Sequence, residues 1–200
     1  MNVVSRALPF AMLALVAGMM GAAHAANIKV DHQDCEGRKS KCAFITVDGD
    51  IRAGDENMLA MRTMGIEQAM VLLNSPGGRF EAGMDMARLI KKKGWDTGAA
   101  HCTSICAVMW LSGANRYYRA TSRIGFHGVF WAATDRNGNL VTNRAFPSSG
   151  GNAVFGGYLA ELGLSPKTIE TLASPGPGQM YWLETKNLKE LGITATRMND

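Results

Sequence analysis

Residues 68–94 read QAMVLLNSPGGRFEAGMDMARLIKKKG, and the two halves of this stretch carry different periodicities. The first eight residues are a continuous apolar run of the kind shown by a strand buried on both faces. From Gly78 onward the spacing turns helical, and Gly94 is placed to stop the helix. Lys91, Lys92 and Lys93 cap its C-terminal end, where cations meet the negative end of the helix dipole. Between the halves, Pro76, Gly77 and Gly78 form a turn where backbone N–H groups can approach a ligand unobstructed. Strand, glycine turn and helix together make one unit of an α/β fold.

The unit recurs on both sides. Upstream, CAFITVDGDI at 42–51 predicts a strand with a terminal turn, and residues 55–64 have a helical pattern. Downstream, 95–101 predicts a short strand and 104–112 a helix apolar on nearly all sides, as expected in the middle of a core. Residues 123–131 predict a further strand carrying His127, and TDRNGNLVT holds Asn137 and Gly138 at a hairpin tip. Helical patterns follow at 156–162 and 166–172, SPGPG at 174–178 is a rigid break, and a last helix is expected over 184–191. Alternating strands and helices joined by right-handed crossovers imply an α/β fold around a mainly parallel sheet.

The segment CTSIC, 102–106, sets one small hydroxyl, Ser104, between two cysteines just before an apolar run. The plain reading of such a serine is a buried or helix-capping hydroxyl. Its company in the chain supports another. A glycine turn upstream, a serine at a helix start and His127 in RIGFHG downstream supply oxyanion donors, nucleophile and base in that order. The structural alternatives are a simple tight turn at Gly77 and Gly78 and a satisfied core histidine at 127.

Residues 1–25 read as an export signal: Arg6 gives the positive start, 8–20 the apolar stretch, and Ala23, His24 and Ala25 a small-residue cleavage site. Export predicts a periplasmic or secreted protein with residues 26–200 as a single domain, a size of roughly 175 residues that suits one well-buried core. No later segment approaches the roughly 20 apolar residues of a bilayer span, so the mature chain is expected to lack one. The formal net charge is +4 and the basic residues are scattered apart from the lysine run, so no nucleic-acid partner is expected.

Four cysteines in an exported chain fit two disulfides, and proximity pairs Cys35 with Cys42 and Cys102 with Cys106. The second pair would fix the backbone on both sides of Ser104. Helical residues four apart hold their Cβ atoms roughly 5–6 Å apart, against about 3.8 Å in a disulfide, so Cys102 must lie outside the helix. Two buried thiols are the alternative. A zinc site adding His101 or His127 is disfavoured, because the metal would take the place of the nucleophile. Met58, Met61, Met64, Met70, Met84 and Met86 read as adaptable core filling, without a metal role.

Taken together, VDGDI, LNSPGGRFEAGMDMARLI, CTSICAVMWLSGANRY, RIGFHG and MYWLETKNLKELGI resemble the successive signatures of the Clp proteolytic-subunit family. The resemblance spans about residues 43–193 and is closest to an exported, single-domain branch of the Clp and crotonase superfamily. It implies a spiral of ββα units around a mainly parallel sheet, and a serine peptidase. Carried onto this chain, it makes Ser104 the nucleophile and His127, 23 positions later, the general base, with the N–H groups of Gly78 and Ile105 as oxyanion donors. It further implies a polypeptide substrate, an acyl-enzyme on Ser104, no cofactor and homo-oligomeric assembly. Relatives place their assembly elements in the region matching 130–157, which here holds Phe130, Trp131, Phe146 and Phe155.

One part of the pattern is missing. Relatives carry a late aspartate that orients the histidine, and the matching stretch, PKTIETLASPGPGQMYWL, puts that position near Leu172, where there is no carboxylate. Glu170 is the candidate third member, and Thr171 and Ser174 offer uncharged acceptors. Without a third member the site is a Ser/His dyad slower by orders of magnitude. The alternative function is therefore a non-catalytic or weakly active Clp-fold protein that binds polypeptides. An acyl-CoA enzyme is disfavoured, since an exported protein would not normally meet coenzyme A.

Overall fold

The structure, a computed structural model, describes residues 25–34, 41–134 and 140–198. Its strands are β1 (Asn27–Asp34), β2 (Lys41–Asp48), β3 (Gln68–Ser75), β4 (Asp96–Thr103), β5 (Arg116–Phe126), β6 (Phe130–Thr134), β7 (Leu140–Pro147), β8 (Tyr181–Trp182) and β9 (Thr196–Arg197). Its helices are α1 (Asp55–Arg62), α2 (Phe80–Lys93), α3 (Ile105–Leu111), α4 (Ser149–Glu161) and α5 (Pro166–Ala173). The main sheet runs β1-β2-β3-β4-β5-β8, with β9 against the start of β5, and β6 and β7 form a separate antiparallel pair.

Strands β2 to β5 are mutually parallel, each reached from the last through a helix, and antiparallel β1 closes one edge. This is the α/β architecture around a mainly parallel sheet that the alternating periodicities imply. Parallel strands joined by helices bring their C-terminal ends to one edge of the sheet, so the segments after β3, β4 and β5 become spatial neighbours. Those segments hold Gly77 and Gly78, Ser104, and His127.

The core explains the helix positions. Every residue of α3 is buried, so this helix threads the interior as its all-round apolar pattern requires. Helix α2 packs on it at Gly83, where a side chain would collide with that of Ile105. Helix α2 ends as expected, with three lysines in its last turn and Gly94 at φ 61°.

Several expectations need correction. The run in β3 is covered on one face only: Val71, Leu73 and Ser75 are buried while Leu72 and Asn74 are exposed. A continuous apolar stretch cannot tell these cases apart. The strand expected over 123–131 breaks in two, with β5 ending at Phe126 and β6 starting at Phe130. The N–H of Gly128 between them donates to the carbonyl of Pro175 rather than to a strand neighbour. Helix α4 starts at Ser149, not 156, because the Ser148 hydroxyl accepts from the Gly151 N–H and caps it.

In place of a helix over 184–191 there is a 3-10 turn, Thr185–Asn187, followed by further turns. Met84 and Met86 are buried as expected, but Met58 and Met61 are exposed, because α1 turns Asp55 and Leu59 inward instead, and Met64 is exposed in the turn after it. Phe155 completes the core, whereas Trp131 and Phe146 are exposed and face each other across the β6–β7 pair. The Asn137–Gly138 tip and the Cys35–Cys42 pairing lie outside the described residues. No helix among the described residues is long and apolar enough to cross a membrane.

Candidate active site

Ser104 stands between β4 and α3 with φ 61° and ψ −130°, the one non-glycine residue with positive φ among the described residues. For a residue with a side chain, such a backbone costs about 1–3 kcal/mol and persists only where its surroundings over-determine it. Here they do. The Ser104 N–H donates to the Gly125 carbonyl at 2.9 Å, and its carbonyl accepts from Ala107 at 3.0 Å. The Thr103 hydroxyl donates to the Pro76 carbonyl at 3.0 Å. Cys102 on β4 and Cys106 on α3 are joined by a disulfide across Ser104, with their Cα atoms 5.2 Å apart. Cys102 lies outside the helix, as the Cβ geometry demanded, and the two thiols that a zinc site would use are spent.

The capping reading of Ser104 fails. Although it occupies the N-cap of α3, its side chain makes no capping hydrogen bond. The half-buried hydroxyl has no hydrogen-bond partner among the described residues. It is held against the glycine turn instead: a Cβ on Gly77 would sit 2.6 Å from Ser104 Cβ and 3.1 Å from its Oγ. Gly77 is also at φ 97°, and its N–H is held by the buried Ser75 hydroxyl at 3.0 Å. The tight turn is therefore real, and it is shaped around the serine.

The two candidate oxyanion donors follow from register. Ile51 donates to the Gly77 carbonyl and accepts from the Arg79 N–H, both at 2.8 Å. The Gly77 carbonyl and the Gly78 N–H belong to one trans peptide unit and point in opposite directions, so the Gly78 N–H faces away from Ile51. Since β3 lies between β2 and β4, that direction is toward the strand that ends at Ser104. A side chain at Gly78 would collide with the Ile51 backbone, which keeps this approach for glycine. Ile105 begins α3, where helix geometry leaves the first N–H groups unpaired and the dipole positive. Neither N–H has an acceptor among the described residues.

His127 follows β5, one residue beyond the end of the strand adjoining β4. Since Thr103 pairs with Gly125, the positions of Ser104 and His127 lie at the same end of two neighbouring strands. The half-buried ring packs on Phe130 with centroids 5.0 Å apart. Its Nδ1 lies 2.7 Å from the Gly128 carbonyl. A carbonyl can only accept, so Nδ1 carries the proton and Nε2 keeps its lone pair, the tautomer a general base needs. Burial holds the imidazole below its ordinary pKa, and the carbonyl contact opposes this more weakly.

No family model and no curated protein sequence matches the chain. Solved structures do. ClpP1 from Listeria monocytogenes aligns at 17% identity over 78% of this chain and 91% of its own, with a TM-score of 0.60. The ClpP catalytic domain from Plasmodium falciparum aligns at 16% identity over 78% and 84%, TM-score 0.58. A point mutant of the 1510-N membrane-bound stomatin-specific protease, in complex with a substrate peptide, aligns at 16% over 78% and 74%, TM-score 0.56. The fold is Clp-protease-like.

Within this Clp-like fold the four residues singled out by sequence, Ser104, His127, Gly78 and Ile105, gather at the ends of three adjacent parallel strands. Ser104 and His127 make no hydrogen bond to each other. Glu170 is not recruited to the ring: it is exposed on α5 and makes no hydrogen bond with His127. The hydroxyls of Thr171 and Ser174 are turned back onto their own helix, on the carbonyls of Lys167 and Thr171. Leu172 is fully buried core. The missed element is the Gly128 carbonyl, a backbone group that residue types do not reveal.

Proposed function

We propose that this chain is a periplasmic or secreted serine peptidase of the Clp type. The observation that carries the reading is the strained, uncapped Ser104 at the head of α3, packed on Gly77 and flanked by the N–H groups of Gly78 and Ile105, which have no acceptor among the described residues. Neighbours of the same fold are proteases, one of them solved with a substrate peptide.

In this mechanism His127 Nε2 takes the proton of Ser104 Oγ as the oxygen attacks a peptide carbonyl. The developing oxyanion accepts from Gly78 and Ile105, each such donor being worth about 2.7–4 kcal/mol in the transition state. The imidazolium then passes its proton to the leaving amine, and water hydrolyses the acyl ester on Ser104 by the same route. The third position is filled by a dipole, not a charge, so the imidazolium is less stabilised than beside a carboxylate. Ser104 and His127 must also close to hydrogen-bond distance, a tightening common when substrate binds.

The disulfide at Cys102 and Cys106 supports an oxidising compartment, in keeping with the leader-like start. The exposed Trp131–Phe146 pair supports self-association through the β6–β7 pair. A second reading, capture of polypeptides with little or no turnover, draws on the missing carboxylate and the missing Ser104–His127 bond.

A fluorophosphonate probe separates the two readings. It should label the wild type at Ser104, mapped by peptide mass, and leave Ser104→Ala unlabelled. A folded wild type that stays unlabelled while Ser104→Ala still binds unfolded peptides would establish the binding protein instead.

A further inference from the structure

We propose that Asn152 is a positioning residue for His127, acting through the peptide group that joins Gly128 to Val129. The inference rests on His127 being the base of the proposed peptidase. The Val129 N–H donates to Asn152 Oδ1 at 2.8 Å, while the Gly128 carbonyl of the same peptide unit accepts from His127 Nδ1 at 2.7 Å. A peptide unit is planar and trans, so its N–H and C=O point in opposite directions and turn together. Gripping one end fixes the aim of the other.

The amide of Asn152 can sit only one way. Its Nδ2 donates to the carbonyls of Val129 at 2.8 Å and Ser148 at 2.9 Å, so Oδ1 must face the Val129 N–H. The clamp is tied to α4, whose cap residue Ser148 donates its own N–H to the Val129 carbonyl at 2.9 Å. From the other side, the Gly128 N–H donates to the Pro175 carbonyl at 2.9 Å. No side chain fits at 128, where a Cβ would lie 2.5 Å from the Ala173 carbonyl and 3.1 Å from Asn152 Oδ1. The chain of dipoles therefore runs from Asn152 Oδ1 through one peptide group to the imidazole. Hydrogen bonds in series polarise one another, which makes the Gly128 carbonyl a stronger acceptor.

The relay holds the imidazole's orientation and tautomer without a charge. The groups packed on the ring, Phe130 and the Gly128 carbonyl, are neutral. On the neighbouring elements, Glu170 of α5 is exposed, and Arg123 of β5 stacks on Trp182 with its guanidinium 4.4 Å from the ring centre. A neutral orienter keeps Nε2 unprotonated to lower pH than a carboxylate would.

Imidazole 15N NMR of the full chain tests this without requiring turnover. Wild-type His127 should be the Nδ1–H tautomer. Asn152→Ala should shift it toward Nε2–H and slow fluorophosphonate labelling by about tenfold, the worth of one net hydrogen bond. Asn152→Asp keeps an acceptor for the Val129 N–H but loses both Nδ2 donors. It should retain the tautomer even if it melts earlier, a split that a merely structural role would not produce. An Nε2–H tautomer in the wild type, or an unchanged tautomer in a folded Asn152→Ala, would overturn the proposal. Should Asn152→Ala not fold, loss of the tautomer in Asn152→Asp overturns it equally. If the tautomer follows Asn152 but the wild type is never labelled, the peptidase reading fails and the relay stands.

Discussion

Replacing Gly77 and Gly49 separately by alanine isolates the contact that shapes the site. Both glycines have φ 97°, so both substitutions carry the same backbone penalty, about 1–2 kcal/mol for a left-handed L-residue. Their surroundings differ. A Cβ at Gly49 meets nothing within 4 Å, whereas one at Gly77 lies 2.6 Å from Ser104 Cβ and 2.8 Å from the Thr103 carbonyl oxygen. Neither atom is the end of a flexible side chain, so the strand-to-helix junction itself must move. Overpacking of this kind costs a further 1–3 kcal/mol or so. Gly77→Ala should therefore lose about 2–5 kcal/mol and Gly49→Ala about 1–2 kcal/mol, by urea denaturation at neutral pH. At about 2–4 °C per kcal/mol for a chain of this size, the extra cost at 77 should also appear as a clearly lower Tm. Fluorophosphonate labelling should fall in Gly77→Ala and persist in Gly49→Ala. Equal stability losses together with equal labelling rates would refute the argument that Gly77 is shaped by the serine.

Two further outcomes follow from the same geometry. Removing the Cys102–Cys106 link with paired serines should cost about 2 kcal/mol for so short a loop, and should slow labelling more than the melting shift explains, because Ser104 loses a restraint on its strained backbone. Since burial lowers the pKa of His127 in the folded state, the unfolded chain binds the proton first. The stability contribution is thus complete above the ordinary value of about 6.5 and is lost as pH falls toward the folded pKa. Urea titrations from about pH 5.5 to 7.5 should show this decline in the wild type and less of it in His127→Gln, while labelling of the wild type continues somewhat below about pH 6.5.

Much of the architecture was legible because it rests on periodicity. The change from apolar run to helical spacing at Pro76–Gly78 marks a strand-to-helix junction in any globular setting, and the structure has one there. Chain order likewise put Ser104 after one parallel strand and His127 on the next, although that strand stops at Phe126, one residue short of the histidine. What periodicity missed were elements whose limits depend on neighbours. The end of β5 at Phe126 depends on Pro175 claiming the Gly128 N–H, and the exposure of Met58 and Met61 depends on which face of α1 meets the core.

The order of residues alone determined the parallel α/β sheet, the glycine turn, the place of Ser104 ahead of a buried helix and the need for Cys102 to lie outside it. These follow from local preferences and from the fixed handedness of strand–helix–strand connections, which act along the chain. The partner of His127 Nδ1 was decided only by the tertiary structure, because it is a backbone carbonyl whose peptide unit is held at its other end by Asn152 of α4. A main-chain group is present at every position, so no residue type announces it, and only packing gives one of them a direction.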